Sequence, residues 1–255
     1  MSTAKDIRVA PVARPAADAC IKRHHYSGKV VNNSTLHFGV FLDGVMHGAL
    51  QFGPSTDKRK IQGLVSETGW NGFIELNRMA LGPALPRNSE SRAIAIAMRL
   101  IRKQYPHIEW VVSFSDGTQC GDGTIYRASG FVLTGIKRNT QVWAAPTGEV
   151  FFQLSLKKGG NNHHTGAASM KAYKDAGFAP LPGFQLRYIY FLNPAARARL
   201  TVPVLPFSAI DDAGARMYLG TSRPKQATDG STVERQCNAD PDAFTPSQAS
   251  NDPDQ

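Results

Sequence analysis

An α/β fold built on one mixed sheet is what this chain predicts, and three observations carry the prediction. From Phe73 to Gly130, strand-like and helix-like stretches alternate, the order that gives parallel strands joined by a crossover helix. Ahead of that unit, two strand-like runs, Leu36–Leu42 and Val45–Phe52, meet at Asp43-Gly44, the pair favoured in tight hairpins. Between Ser89 and Gln104, Ile94, Ala97, Met98 and Ile101 recur at helical spacing, with Arg92, Arg99 and Arg102 off that stripe.

In chain order, Ile7 to Val9 reads as a short strand, and Ala16 to His24 as a helix with Ala17, Cys20 and Ile21 at helical spacing. The hairpin follows, then a loop over Thr56 to Gly72 carrying Lys58-Arg59-Lys60. Phe73 to Leu81 reads as a strand, Pro83 to Arg87 as a turn, and Ser89 to Gln104 as a helix ended by Pro106. Ile108 to Phe114 is apolar enough to be a strand buried on both faces. Asp116, Gly117 and Gly121 to Gly123 interrupt before a short helix at Thr124 to Ser129. Val142 to Leu156 offers two strands around Pro146-Thr147-Gly148, and Lys157 to Thr165 a polar loop. Met170 to Ala176 is helical and Gln185 to Leu192 a strand. Residues 221–255, rich in Pro, Ser, Asp, Gln and Thr, read as a disordered acidic tail behind one folded domain over 1–220.

The chain has 255 residues, 42% hydrophobic, and a formal charge of +9. Residues 221–255 hold three basic and six acidic side chains, so the first 220 hold 26 basic against 14 acidic, a net of +12. That excess favours a polyanion such as DNA or RNA as partner, although a merely solvated basic surface is a common alternative. No stretch approaches the roughly 20 apolar residues of a membrane span, and no signal-peptide core opens the chain. Cys20, Cys120 and Cys237 fit neither a disulfide framework nor a zinc site, so a reducing, cytoplasmic setting is expected.

The densest chemistry is His24-His25-Tyr26-Ser27-Gly28-Lys29: two imidazoles, a phenol, a hydroxyl and a cation around a glycine. Burying such polar groups is costly unless all are paired, so the run is expected to line a cleft. With Leu36-His37-Phe38-Gly39-Val40-Phe41, Leu50-Gln51-Phe52-Gly53-Pro54 and Glu75-Leu76-Asn77-Arg78-Met79, it resembles the Mom family of phage DNA-modification proteins, over roughly Ile21 to Leu192. The resemblance implies an enzyme acting on double-stranded DNA. It would convert the exocyclic amine of adenine to an N6-carbamoylmethyl (acetamido) derivative, shielding phage DNA from host restriction.

A second resemblance concerns the fold. Phe73 to Phe131 looks like the core of the GNAT acetyltransferases, a mixed central sheet flanked by helices. There, backbone amides at a helix N-terminus cradle the pyrophosphate of coenzyme A. Arg87, Asn88, Ser89, Ser91 and Arg92 stand where that loop belongs, so the resemblance implies acetyl-CoA as donor. Unpaired amides and the helix dipole would favour a phosphate there, while Asn88 or Ser89 also reads as a plain N-cap. Tyr126-Arg127-Ala128-Ser129-Gly130-Phe131 matches the family's Tyr-x-x-x-Gly-Phe, whose tyrosine serves the leaving thiolate. Tyr173 opens a second copy and reads as structural or as belonging to the substrate side.

An adenine inside a duplex is inaccessible, so it would be flipped out and stacked on aromatics, for which Tyr26, Phe52 and Trp70 are candidates. His25 or Asp116 would take the amine proton, and Tyr126 would serve the leaving group. His24, Ser27 and Lys29 are expected to contact substrate. Glu75 and Asn77 share one face of their strand by alternation, opposite Leu76 and Arg78, and would line the cleft. Lys157, Lys158, Asn161, Asn162, His163 and His164 suit phosphate contacts, as do Lys58-Arg59-Lys60 and Lys137-Arg138. A metal such as iron could recruit His37 or His47, although no ligand spacing supports it. Two alternatives stand beside this reading: a GNAT N-acetyltransferase acting on a protein or small-molecule amine, and a basic DNA-binding protein without catalysis.

Overall fold

In a computed structural model, described over residues 2–116, 123–153, 156, 170–181 and 183–215, the strands form a seven-stranded mixed sheet and a three-stranded one. The elements of the large sheet are β1 (Arg8–Pro11), β2 (Leu36–Leu42), β3 (Val45–Gly53), β4 (Phe73–Leu81), β5 (Trp110–Asp116) and β6 (Val132–Arg138), with β10 (Phe184–Phe191) inserted between β5 and β6. The order is β1-β2-β3-β4-β5-β10-β6, and every pairing is antiparallel except β4 with β5. Asp43 and Gly44, both at positive φ (50° and 80°), make the β2–β3 turn, as the sequence implies.

Helix α1 (Arg14–His24) lies on one face of the sheet, packing Ala17 and Ile21 on Ala49 and Ala80. Helix α3 (Ser89–Gln104) lies on the other. Its Ala93, Ile94, Ala97, Met98 and Ile101 are all buried, joining Leu50, Phe52, Leu76 and Tyr188 in the main core. Helix α4 (Thr124–Ala128) adds Ile125 and Tyr126 on that α3 face. The segment expected to be a loop over 56–72 holds α2 (Lys58–Gln62). Its Lys-Arg-Lys start has no apolar period. What holds it is tertiary: Ile61, Leu64 and Val65 cover Phe73 and Trp110 on the α1 face, and Trp110 Nε1 donates to Thr68 Oγ1 at 3.0 Å.

The three-stranded sheet is made by β7 (Val142–Ala144), β8 (Val150–Phe152) and β9 (Ala179–Pro180), with α5 (Met170–Asp175) beside it. Trp143, Ala145, Leu156, Tyr173 and Phe178 form its own apolar cluster. Tyr173 is fully buried, its hydroxyl donating to Leu156 O at 3.3 Å, a structural role as the sequence suggests. A last helix, α6 (Ala209–Asp212), buries Ile210 in the main core. No helix among the described residues is long and apolar enough to cross a membrane.

Two irregularities in the large sheet position the site. Strands β4 and β5 pair only at Phe73↔Trp110, Ile74↔Val111 and Glu75↔Val112, then part. Each is still paired on its other side, β4 with β3 and β5 with β10, so the sheet opens as a V with Glu75 at the apex. The second is a β-bulge. Gln51 pairs with Arg78 and Phe52 with Leu76, leaving Asn77 as an extra residue on β4. Bulges re-aim side chains and recur beside active sites.

Candidate functional site

The α1 face of β4 carries two apolar covers with a polar notch between them. Phe73 lies under the α2 segment and Ala80 under α1. Between them stand Glu75, which shares its face with its partner Val112, and the bulged Asn77. Buried Ser34 donates its hydroxyl to Asn77 Oδ1 at 3.2 Å, and the hydroxyl of buried Ser55 faces the Glu75 carboxylate. The wall behind them is Gly53. A Cβ there would meet Asn77 Oδ1 at 2.6 Å and Ser34 Cα at 2.8 Å, and would collide with Asn33 O.

Simple alternation places Arg78 on the face opposite Glu75. The bulge at Asn77 corrects this, because after it the even positions of β4 share the face of Ala80. Arg78 thus reaches the α1 face, donating Nε to Lys29 O at 3.4 Å and Nη1 to Asn77 O at 2.8 Å.

Burial raises the pKa of Glu75, and the Ser55 and Asn77 side chains and the Arg78 charge only partly oppose it. The folded carboxyl therefore holds its proton above the pH at which an unfolded glutamate loses it. Such a group contributes stability below the unfolded value, and that contribution is lost as pH rises through the raised one. Glu75→Gln, which cannot ionise, is accordingly expected to melt close to the wild type in acid and above it at neutral pH. Melting curves across that range check the sign.

The His-His-Tyr-Ser-Gly-Lys run forms a tight turn closing α1. His25 N–H donates to Ile21 O at 2.8 Å, and Gly28, at φ +58°, donates back to His25 O at 2.9 Å. His25 Nδ1 accepts the Ser27 N–H at 3.1 Å and meets Ser27 Oγ at 2.8 Å, which fixes the neutral tautomer with its proton on Nε2. Tyr26 lies against the His25 ring, centroids 4.3 Å apart. His24 docks on Gly82 just past β4, where a Cβ would fall 3.0 Å from the imidazole Cε1. With Arg78 holding Lys29 O, the turn is fastened to β4 beside the notch, as a cleft-lining role requires.

The other arm of the V ends at Asp116, whose Oδ1 accepts from Asn139 Nδ2 at 3.1 Å. Alternation along β5 from Val112 puts Asp116 on the α1 face too. Tyr126 is on the opposite, α3, face, its ring 5.2 Å from Tyr188 and 5.3 Å from Phe131. The expected substrate-side and leaving-group residues thus stand on opposite faces of the sheet.

On the α3 face, Asn88 turns the chain into α3 through a left-handed conformation (φ 65°). It lines a groove of about 400 Å³ with Ser91, Arg92, Arg99 and Ser129. Asn88 makes no side-chain cap, and its carbonyl accepts the Ser91 hydroxyl instead. Ser89 Oγ, Arg92 Nε and, on the β5 arm, Ser113 Oγ are buried with no hydrogen-bond partner among the described residues. Arg92 donates Nη2 to Lys5 O at 3.4 Å, and Arg87 is exposed. Two guanidinium groups, orphaned buried donors and a helix N-terminus fit a phosphate-bearing ligand. Glu90, in the first turn, is driven toward its neutral form by burial, which reduces repulsion of an anion there.

Other expected site residues stand elsewhere. Phe52 is a correction. It is fully buried on the α3 face, edge-on to Phe38 with centroids 5.8 Å apart, so its ring is core and meets no base. Trp70 is 55% exposed on the α2 segment, with the Lys58 ammonium 4.5 Å above its ring. Lys157, Lys158, Asn161, Asn162, His163 and His164 lie outside the described residues, as does the tail over 221–255. His37 Nδ1 faces Gln51 Nε2 at 3.3 Å, and the His47 carbonyl accepts the Gly82 N–H. No three His, Cys, Asp or Glu side chains gather as metal ligands among the described residues. Ser34, Ser55 and Asn139 join the site without a sequence signal. Gly53 had one, in the Leu50–Pro54 motif.

The sequence profile of the Mom protein family matches residues 6–209. The methylcarbamoylase Mom of Escherichia phage Mu is 40% identical over 201 residues, 77% of this chain and 80% of that protein. Among solved structures, the ribosomal-protein-S18-alanine N-acetyltransferase from Escherichia coli aligns with a TM-score of 0.41 at 11% identity, covering 73% of this chain and 94% of that one. The spermidine/spermine N-acetyltransferase SpeG from Vibrio cholerae aligns at 0.43 and 9% identity, covering 77% and 99%. A GNAT family acetyltransferase from Elizabethkingia anophelis with acetyl-CoA bound aligns at 0.38 and 10% identity, covering 73% and 98%.

Proposed function

The chain belongs to the Mom protein family, and from that premise we propose that it modifies adenine in phage DNA to the N6-carbamoylmethyl (acetamido) derivative, protecting that DNA from host restriction in the bacterial cytoplasm. The observation that supports this reading is the notch at the apex of the V, where the largely buried Glu75 carboxylate stands beside the Asn77 carboxamide, the Ser55 hydroxyl and the Arg78 charge.

Adenine's exocyclic amine is a poor nucleophile because its lone pair is delocalised into the ring. A base must take its proton as the new N–C bond forms. Glu75 is the group built for that task. Burial raises its pKa above that of a free glutamate, and the Asn77 side chain and the Ser55 hydroxyl stand beside it. This reassigns the base from His25 or Asp116, which instead flank the entrance. Asn77, with its carboxamide oriented by Ser34, is placed to hold the adenine edge. Tyr26, on the tight turn, stacks on the extruded base.

On the α3 face, Asn88, Ser89, Ser91, Arg92 and Arg99 would hold the phosphates of a donor such as acetyl-CoA, with Arg87 at the rim. When bound, that donor would supply only the two-carbon skeleton. Joining its methyl carbon to N6 is a two-electron oxidation, and the product's amide nitrogen is not part of that donor, so an oxidant and a nitrogen donor are required as co-reactants. Tyr126, on the same face, is placed to give its hydroxyl proton to the departing group.

The test is nucleoside mass spectrometry on DNA from a bacterial host expressing the chain, beside Tyr26→Phe and Asp116→Ala versions. The expected result is a new modified deoxyadenosine in the wild type that falls sharply in both variants. Unmodified DNA from well-expressed wild type, with acetylated amines appearing in the absence of DNA, would establish the amine acetyltransferase instead.

A further inference from the structure

Arg187 has no part in the account so far, and its surroundings are unusual for an arginine. It sits in the middle of β10, half-buried, between β5 and β6. Nε donates to Thr134 Oγ1 at 3.1 Å and Nη2 to Thr134 O at 2.6 Å. The guanidinium lies on the backbone of β6 at Gly135, where a Cβ would fall 3.1 Å from Nη2 and 3.2 Å from Cζ. Thr134 is the extra residue of a second bulge, since Arg187 pairs with Gly135 and Tyr188 with Leu133. A glycine and a bulge thus shape a flat seat for one side chain.

No carboxylate stands within ion-pair reach of Arg187 among the described residues. Burial alone pushes its pKa down, with no neighbouring acid opposing the shift. Asp116, diagonal to it across β5, gives Oδ1 to Asn139, and Lys137, opposite Gln185 on β6, adds a second positive charge. A half-buried cation without a counter-ion is costly, and its cost is recovered when an anion arrives.

The position points to which anion. β10 pairs without interruption along β5, with Arg187 opposite Phe114 and Ile189 opposite Val112. Val112 is also the partner of Glu75, so Arg187 shares the α1 face with the notch. Two strand spacings across and two residues along place their Cα atoms about 12 Å apart. That is the span of one nucleotide, from base edge to backbone.

We propose that Arg187 is a preformed phosphate clamp. Its guanidinium, laid on Gly135 and tied to Thr134, binds a backbone phosphate beside the nucleotide whose adenine enters the Glu75 notch. The inference rests on the DNA-substrate reading above. With two donors committed to Thr134, the remaining N–H groups face out to a phosphodiester, and holding it fixes the register of the extruded base.

The test is the salt dependence of binding to a short adenine-containing duplex, followed by fluorescence anisotropy for the wild type, Arg187→Gln and Arg187→Met. Glutamine keeps a donor for Thr134, and methionine removes the buried polarity altogether, so folding does not hinge on one substitution. Melting temperatures confirm both variants before binding is read. The expected result is weaker binding to every duplex sequence, with the slope of log K against log salt smaller by about one in each variant. Arg187→Lys should restore most of the slope. A purely structural arginine would shift the melting temperature and leave the slope unchanged, which overturns the clamp. Wild-type protein that shows no salt-dependent duplex binding overturns the DNA reading itself, and the clamp with it.

Discussion

Glu75→Gln should lower the rate of adenine modification by about 10²–10⁴-fold, the range a general base contributes. The substitution keeps the size and shape of the side chain and leaves the Ser34–Asn77 hydrogen bond beside it in place. It removes only the ability to accept a proton. The pH profile separates this role from a binding role. Wild-type activity should rise with pH through the raised pKa of Glu75. The residual activity of the variant should lack that limb. Equal loss at every pH would mean that the carboxylate orients substrate and does not take its proton. The stability gain expected for the same variant at neutral pH has one origin with its loss of activity: a carboxylate held in a partly desolvated site costs the fold what it gives the chemistry.

Gly53→Ala should both weaken the fold and silence the site. A methyl group at this position meets Asn77 Oδ1 at 2.6 Å and Ser34 Cα at 2.8 Å, and runs into the Asn33 carbonyl. Two of these obstacles are backbone and cannot swing aside. Overpacking of this kind costs about 1–3 kcal/mol, which a lower urea midpoint would register. Relief comes most readily by pushing the segment around Ser34 away from β4, breaking the Ser34–Asn77 hydrogen bond and tilting the bulge. Modification should therefore fall by more than the loss of folded protein explains. Gly44→Ala is the matching control. Gly44 has open space around its Cβ direction but a φ of 80°, so Ala there strains the turn backbone far from the notch and lowers stability without touching the Ser34–Asn77 contact.

Much of the architecture was legible because local pattern and tertiary role agree. The Asp43-Gly44 turn, the buried stripe of α3 and the order of β4, α3 and β5 follow from periodicity and turn chemistry. The tight turn at His25 to Lys29 was legible as a cleft element because its polar density has no place in a core. What stayed hidden depends on register. The bulge at Asn77 turns Arg78 onto the face of Glu75, and nothing in Glu-Leu-Asn-Arg-Met announces an extra residue. Phe52 looked available to stack a base, yet its pairing with Leu76 points it into the α3 core. Strand β6 went unread because Gly135 and the Thr134 bulge interrupt its alternation, and the same two residues make the seat for Arg187. Helix α2 has no amphipathic period and is held by Leu64, Val65 and Trp110. Glu75 was legible as a cleft residue. The raised pKa behind its proposed role as base was not, because it comes from burial rather than from sequence.

The V between β4 and β5 gives these parts one purpose. In the proposed arrangement the α3-face groove would hold the donor and the Glu75 notch the acceptor, with the opening between β4 and β5 joining the two faces. The most direct measurement is nucleoside mass spectrometry of DNA from cells producing equal amounts of soluble wild type and Glu75→Gln. The account predicts N6-carbamoylmethyl deoxyadenosine in the first sample and none above background in the second. Equal amounts of the modified nucleoside in both would contradict the assignment of Glu75 as the base, and with it the placing of the acceptor in this notch.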